Sequence, residues 1–406
     1  MRDDKGQPFD GIKVVEFSWF GVGPRTIKFL AEYGAQVIKV ESVKRPDPGR
    51  TVAPFAEGKP GVNRSIMWCR YNNSKLGMSL NLKHPKGVEV AKRLVAWADI
   101  VTDAFTPGTM ERFGLGYEAL KKVKPDIIVA STCMQGQTGP GATSPGVGVT
   151  MTSLSGFNHI TGWPDRPPPG IPGAYTDFIV PPINATSLLA ALDYRERTGK
   201  GQFLDLSQLD ASLHYLAPLF LDYVVNNRIL ERNGNRLSYA APHGVYRCKG
   251  EETWCAIAVF TDEEWQGFCK VLGNPSWTQE PRFSTLLGRV KHADDLDTLV
   301  EQWTSVHSRE EVMSSLQAAG VPAGIVNTGE DVWKDPQLTH LNALIELEHP
   351  DIGRCFCERE GVDLSKTHYT AHRPALLGEH TQYVCDEILG MSDEEFVGLL
   401  EEGVFD

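Results

Sequence analysis

Apolar positions along this chain fall into short β-branched runs separated by stretches of helical periodicity. "GIKVVEF" (11–17) reads as a buried strand and "SWFGVG" as the turn after it. Pro24 suits the first turn of a helix, "RTIKFLAEYG" repeats with helical period, and Gly34 closes it. "AQVIKVE" (35–41) is then a second strand, completing a β-α-β unit of about 30 residues.

Similar units follow. A helix over "KGVEVAKRLVAWA" (86–98) feeds the strand "DIVTDAF" (99–105), and "GYEALKKVK" feeds "PDIIVASTCM" (125–134). The Gly/Pro loop "QGQTGPGATSPGVG" (135–148) leaves that last strand at its carboxyl end, where open α/β sheets bind ligands. A turn-rich stretch over 162–173 leads to Asp177, a helix pattern returns over 183–196, and "GQFLDLSQLDASLHYLAPLFLDYVV" predicts a strand followed by one long apolar helix. After "NNRILERNGNR" (226–236) the character changes: "GVYRCKGEETWCAIAVF" predicts an antiparallel hairpin turning at "KGEE", and amphipathic helices follow. The expected fold is α/β. A large doubly wound domain covers 1–225, a small α+β domain covers 226–325, and a C-terminal segment, 326–406, returns to the large domain.

The 41% apolar and 23% charged composition is that of a globular protein, and no run approaches the roughly 20 apolar residues of a membrane span. The polar, acidic start "MRDDKGQPFDG" is unlike a signal or transit peptide, so a cytoplasmic enzyme or binding protein is expected. Net charge is −12, which argues against nucleic acid or an anionic membrane as partner. Locally, Lys39, Lys44, Arg45, Arg50, Arg64, Arg70 and Lys75 form a candidate basic patch for a phosphorylated small molecule. The eight cysteines show no C-x-x-C and read as reduced, mostly buried thiols, with no metal site expected.

Among cofactor motifs, "GVGPRT" has Thr26 where the third glycine of a dinucleotide fingerprint would stand, so hydride transfer is not favoured. Lys75, in a polar turn before the alternating strand "GMSLNL", is a candidate contact for a phosphate or pantetheine. "AFTPGTMERFGLG" mixes Phe105 and Phe113 with Arg112, which suits stacking on an adenine or capping a core. In "GAYTDFIVP" Asp177 stands alone between a proline-rich approach and an apolar run. A lone carboxylate there is a helix cap or a reacting group, and the residues alone leave both open.

An ordered series of motifs goes further. "GIKVVEFSWFGVGP", "GAQVIKVE", "NNSKLGMSLNLKHPKG", "FTPGTMERFGLGYEAL", "GQTGP", "LLAALDYRERTGKGQFLDLSQLDASL", "RNGNR", "PHGVY" and "QAAGVPAG", spread from about residue 9 to 340, resemble the family III coenzyme A transferases. The resemblance implies an interlocked dimer whose Rossmann-like large domain is built from both chain ends, with a small middle domain. It implies an acyl-CoA and a carboxylic acid as substrates, no tightly bound cofactor, and Asp177 as the residue that carries the transfer. A carboxylate can attack a thioester carbonyl to give a mixed anhydride, and the released thiolate then converts it to an aspartyl thioester. Glycine-loop amides such as those of "QGQTGPG" would stabilise the oxyanions, with Gln135 and Gln137 as supporting donors.

Carried over residue by residue, Phe20 and Gly21 fall in the loop near the thioester, and Lys75, Phe105 and Arg112 match CoA-contacting positions. Ser42 stands where the formyl-CoA member has an arginine, with Lys44 or Arg45 as compensating cations. Gly21 replaces a glutamine of that member, which argues against its substrate. Pro181 and Pro182 occupy a segment that often carries glycine, leaving the backbone beside Asp177 open. The related α-methylacyl-CoA racemases need a histidine where this chain has Val147, so a racemase is the lesser alternative. A CoA-binding subunit of a transferase built with a paralogous partner is the other. Trp19, Phe20, Phe157 and Trp163 near the expected site favour an aromatic or dicarboxylic acceptor such as benzylsuccinate, as in aromatic degradation. Succinyl-CoA would be the donor, and Arg25, Arg64 or Arg70 would hold a second carboxylate.

Overall fold

In a computed structural model, residues 6–171 and 173–406 are described. The chain divides into two compact units. The first comprises residues up to Phe157, Gly170–Ile229 and Thr339–Asp406; the second comprises Asn158–Pro169 and Leu230–Leu338.

The first unit is built on a six-stranded sheet in the order β3-β2-β1-β4-β5-β6. Its strands are β1 (Lys13–Glu16), β2 (Gln36–Glu41), β3 (Leu76–Ser79), β4 (Ile100–Asp103), β5 (Ile128–Cys133) and β6 (Phe203–Ser207). Every neighbouring pair is parallel. The mostly apolar strand interiors follow from this, because helices cover both faces of a parallel sheet. Val15, Ile38, Met78, Val101 and Val129 pack with Leu94 and Leu120 on one face, while Val14, Val37, Ile100 and Ile128 pack with Leu30 and Leu188 on the other. The doubly wound, Rossmann-like arrangement expected from the sequence is present.

The order reverses between β1 and β4, and at such a switch point the loops leaving the strands part to form a crevice. The first crossover helix runs Val22–Glu32, two residues earlier than the Pro24 signal suggests, because Gly21, at φ 95°, turns the chain directly into it.

The C-terminal segment completes this unit. The antiparallel pair β10 (Leu344–His349) and β11 (Gly353–Glu358) lies against the helix Ile66–Asn72. His380 N–H donates to the Gly77 carbonyl (2.8 Å), and Asn81 N–H donates to that of Val404 (2.8 Å). Both ends of the chain thus contribute to the large domain.

The second unit is α+β. β7 (His243–Arg247) and β8 (Trp254–Ala258) form the expected hairpin, β9 (Ala323–Ile325) joins β8, and helices Asp262–Val271, Ala293–Thr304 and Arg309–Ala318 pack over them. Each of the first and last of these helices opens with a capping box, Thr261 with Glu264 and Ser308 with Glu311.

One expected element is broken. The long apolar helix after β6 divides into Gln208–Leu213 and Ala217–Asn226 at a tight turn over His214–Leu216. The second piece carries no buried residue although it reads "APLFLDYVVN". Among the described residues no helix is long and apolar enough to cross a membrane.

Candidate active site

A cleft of about 550 Å³ opens at the switch point of the sheet. Trp19 and Phe20 reach it from the loop after β1, Ala104 and Phe105 from the loop after β4, and Thr132 to Met134 from the end of β5. Gly146 to Val149, Asp177 and Gln208 also line it. The walls are largely apolar: Trp19 and Phe105 meet edge to face at 5.4 Å, and the exposed Arg45 holds its guanidinium 5.2 Å over the Trp19 ring.

Asp177 lies in the short helix Thr176–Ile179, half-buried. Neither this helix nor the next, Pro181–Thr198, takes a side-chain cap, so the cap reading of Asp177 is set aside. Pro181 and Pro182 occupy the first turn of the longer helix, where a missing N–H costs nothing. The Asp177 carboxylate is wedged between two glycines. A Cβ on Gly21 would fall 2.8 Å from its Oδ2, and one on Gly148 would fall 2.5 Å from its Oδ1. Any other residue at either place would collide with the carboxylate.

Gln208 Nε2 donates to Asp177 Oδ1 (2.5 Å) and to Thr176 Oγ1 (2.7 Å). Burial pushes the Asp177 carboxyl up to about 6, and the Gln208 bond works against that rise. Near neutral pH the carboxylate is therefore mostly ionised yet poorly solvated, a suitable state for a nucleophile.

The loop against which Asp177 rests is held from below by buried ion pairs. Phe20 N–H donates to both Asp47 carboxylate oxygens (3.2 and 3.1 Å), and Asp47 is paired with Lys39 at 3.0 Å. Arg50 binds Glu41 with three bonds of 2.8 to 3.1 Å and stacks at 3.6 Å on Trp68. Lys75 is buried with Glu16 at 2.8 Å and also donates to the Pro24 carbonyl (2.8 Å); burial lowers its ammonium to about 8.

The basic patch read from sequence is thus divided, three of its seven cations lying inside the protein. Lys39, Arg50 and Lys75 are buried structural cations, Arg25 and Arg70 both pair with Glu358, Arg64 pairs with Glu57, and Lys44 pairs with Asp406 at the surface. Alternation along the chain marks faces of strands, not the depth to which a charged residue sinks.

Of the expected site residues, the structure gathers Asp177, Phe20, Gly21 and Phe105 around the cleft, with Arg45 on its aromatic wall. Lys75 points into the core, while Lys44 and Arg112 are exposed, the latter bonded to Thr109 Oγ1 at 2.7 Å. Gln137 spends its N–H on Asp205 (2.9 Å), and the Gln135 side chain packs against Gly141. Trp19 and Phe20 line the cleft, whereas Phe157 is buried against Tyr175 (5.2 Å) and Trp163 belongs to the second unit. Val147 lines the cleft, and His159 pairs with Glu231 within the second unit.

Sequence reading missed Gln208 and Gly148. Gln208 is the first residue after β6 and the first of a helix, the position from which a side chain overhangs a strand end, and that signal was available. Among the described residues no cluster of His, Cys, Asp and Glu could hold a metal ion, and the cysteines are free thiols, most of them buried.

Comparison with known proteins places the chain in a family. The profile of the family described as CoA-transferase family III matches residues 9–381. Succinyl-CoA–D-citramalate CoA-transferase of Chloroflexus aurantiacus is 31% identical over 397 residues, 97% of each chain. The succinyl-CoA–L-malate CoA-transferase beta subunit of the same organism is 30% identical, with 98% of each chain covered. The crystal structure of a CAIB/BAIF family protein from Brucella suis superposes with a TM-score of 0.87 at 30% identity, covering 95% of this chain and 100% of that one. The chain belongs to CoA-transferase family III. It is an enzyme that transfers coenzyme A, with an acyl-CoA as substrate.

Proposed function

We propose that this enzyme moves CoA from succinyl-CoA to a dicarboxylic acid, with Asp177 as the nucleophile. The observation that carries the reading is the Asp177 carboxylate itself, ionised, poorly solvated and wedged between Gly21 and Gly148 in the lining of the cleft. Asp177 attacks the succinyl carbonyl, releases CoA thiolate and becomes a mixed anhydride. The thiolate converts this to an aspartyl thioester and frees succinate. The acceptor carboxylate repeats the exchange in reverse and leaves as the new thioester. Thioester energy is retained throughout, and apolar walls keep water from the anhydride and thioester.

CoA would run along the Trp19, Phe105 and Arg45 wall, which suits an adenine or the pantetheine arm. The donor and acceptor class rest on the names of the two Chloroflexus enzymes, which pair succinyl-CoA with D-citramalate and L-malate. Aromatic lining supports benzylsuccinate as an aromatic member of the same class. The test is incubation with succinyl-CoA and citramalate, malate, glutarate, benzylsuccinate, formate or oxalate, reading new CoA esters by mass. Esters of the longer dicarboxylates are expected. Transfer only to formate or oxalate would overturn the assignment.

The exposed apolar helix Ala217–Asn226, with Leu221, Val224 and Val225 at 62, 77 and 75% exposure, supports a dimer. A relative described as a beta subunit makes a paralogous partner the other arrangement. Light scattering should give a dimer of this chain alone, reduced to monomer by Val224→Asp. A monomeric wild-type chain that dimerises only with a paralogue would decide for the second.

A further inference from the structure

We propose that the Gln208 side-chain amide is the oxyanion donor for the two steps that occur at the Asp177 carboxyl carbon. This rests on Asp177 being the nucleophile. Gln208 is 5% exposed, lines the cleft, and follows β6 directly. Its backbone is fixed on both sides: Ser207 is paired with Cys133 in the sheet, and Leu209 N–H donates to the Met134 carbonyl (2.8 Å).

The orientation of the amide is set by its partners. The Thr176 hydroxyl donates to the Gly148 carbonyl (3.4 Å) and so accepts from Gln208 Nε2. The second Nε2 proton goes to Asp177 Oδ1, since an ionised carboxylate can only accept. Oδ1 is therefore the held oxygen, and Oδ2, on the Gly21 side, is the attacking one.

The distinction matters because the four exchanges happen at three carbons: the succinyl carbonyl once, Asp177 Cγ twice, and the acceptor carbonyl once. When Oδ2 attacks the succinyl carbon, the C–S bond breaks, CoA leaves as thiolate, and Oδ1 becomes the carbonyl oxygen of the anhydride. Thiolate then adds to Asp177 Cγ, and the carbonyl electron pair collects on Oδ1. The carbonyl re-forms as the Cγ–Oδ2 bond breaks, and succinate carries Oδ2 away. Next the acceptor carboxylate adds to Cγ, again loading charge on Oδ1, and expels thiolate. The thiolate finally attacks the acceptor carbonyl and returns Asp177 as a carboxylate. No net proton or redox change accompanies these steps. In both additions at Cγ, charge develops on the atom to which Gln208 already donates, and a donor pre-aimed at a developing oxyanion lowers the barrier.

Gln208→Leu removes the donor at nearly constant size. Gln208→Met, uncharged and flexible enough to fill the same space, also removes the donor and guards against a packing defect peculiar to the first variant. Each protein is mixed with succinyl-CoA without acceptor and quenched in acid. The mass of the peptic peptide holding Asp177 then reports the aspartyl-CoA thioester against time. Both variants should form it at least about 10²-fold more slowly, with the Kd for succinyl-CoA within about 3-fold of wild type. The acid limb of the rate should also move upward, because the bond that opposes burial at Asp177 is gone. The ionisable neighbour whose charge interacts with Asp177 is Tyr71, which both variants leave in place. Thioester formation at the wild-type rate, or a loss appearing only in Kd, would overturn the proposal while leaving Asp177 as nucleophile. A wild-type protein that forms no adduct on Asp177 would overturn both.

Discussion

Gly148 and Asp177 share a space that admits one of them with a side chain: a Cβ on Gly148 would stand 2.5 Å from Asp177 Oδ1. Gly148 opens the helix Gly148–Leu154, so the backbone there accepts alanine and the conflict is one of volume, which the Ala174 Cβ shares at 2.3 Å. Gly148→Ala is expected to push the carboxylate off its aim and lower kcat about 10²-fold, with KM for acyl-CoA little changed. Gly21→Ala adds a strained φ of 95° to the same collision and should cost at least as much. Steady-state kinetics at saturating acyl-CoA check both.

Activity should depend on pH through Asp177. Its carboxyl, pushed by burial to about 6, must be ionised to attack. The rate should therefore rise tenfold per pH unit below about 6 and level off above about 7. A limb near pH 4, the range of a solvated carboxyl, would contradict the buried environment.

The same burial makes Asp177 a cost to the fold. A carboxyl whose folded value lies above its unfolded one favours folding fully below the unfolded value, and that contribution is lost as pH rises through the folded value. Asp177→Asn should accordingly be more stable than wild type by about 2 kcal/mol at pH 7.5, and the difference should vanish below about pH 4. Denaturant unfolding at the two pH values measures it.

Lys75 gives a separation between structure and binding. Lys75→Met strands Glu16 in the core and should destabilise the protein by about 3 kcal/mol, while KM for acyl-CoA stays near wild type. Adding Glu16→Leu should recover most of the loss, since an apolar pair replaces the ion pair. A large KM increase with unchanged stability would instead return Lys75 to the role its sequence position suggested.

Much of the fold was legible because its elements are locally consistent. β-branched runs such as "KVVE" and "IVASTC" alternate with periodic helices, which fixes a parallel doubly wound sheet before any contact is known. The break at His214–Leu216 was not legible, because apolar periodicity continues through it. At the site, Asp177 could be singled out by the ordered motifs, and Phe20 and Phe105 by the loops they occupy. Lys75 and Arg50 looked like surface charges because a chain does not announce which cation meets a buried acid. Gly148 and Gln208 have meaning only against the carboxylate they touch, across 29 and 31 residues of chain.

The central claim is that Asp177 carries CoA. Wild-type protein mixed with succinyl-CoA alone should gain a CoA thioester on the peptide containing Asp177, and a dicarboxylic acceptor should discharge it as the acceptor's CoA ester. Asp177→Ala should bind succinyl-CoA, form no adduct and transfer nothing. An adduct on another residue, or transfer at the wild-type rate by Asp177→Ala, would contradict the account.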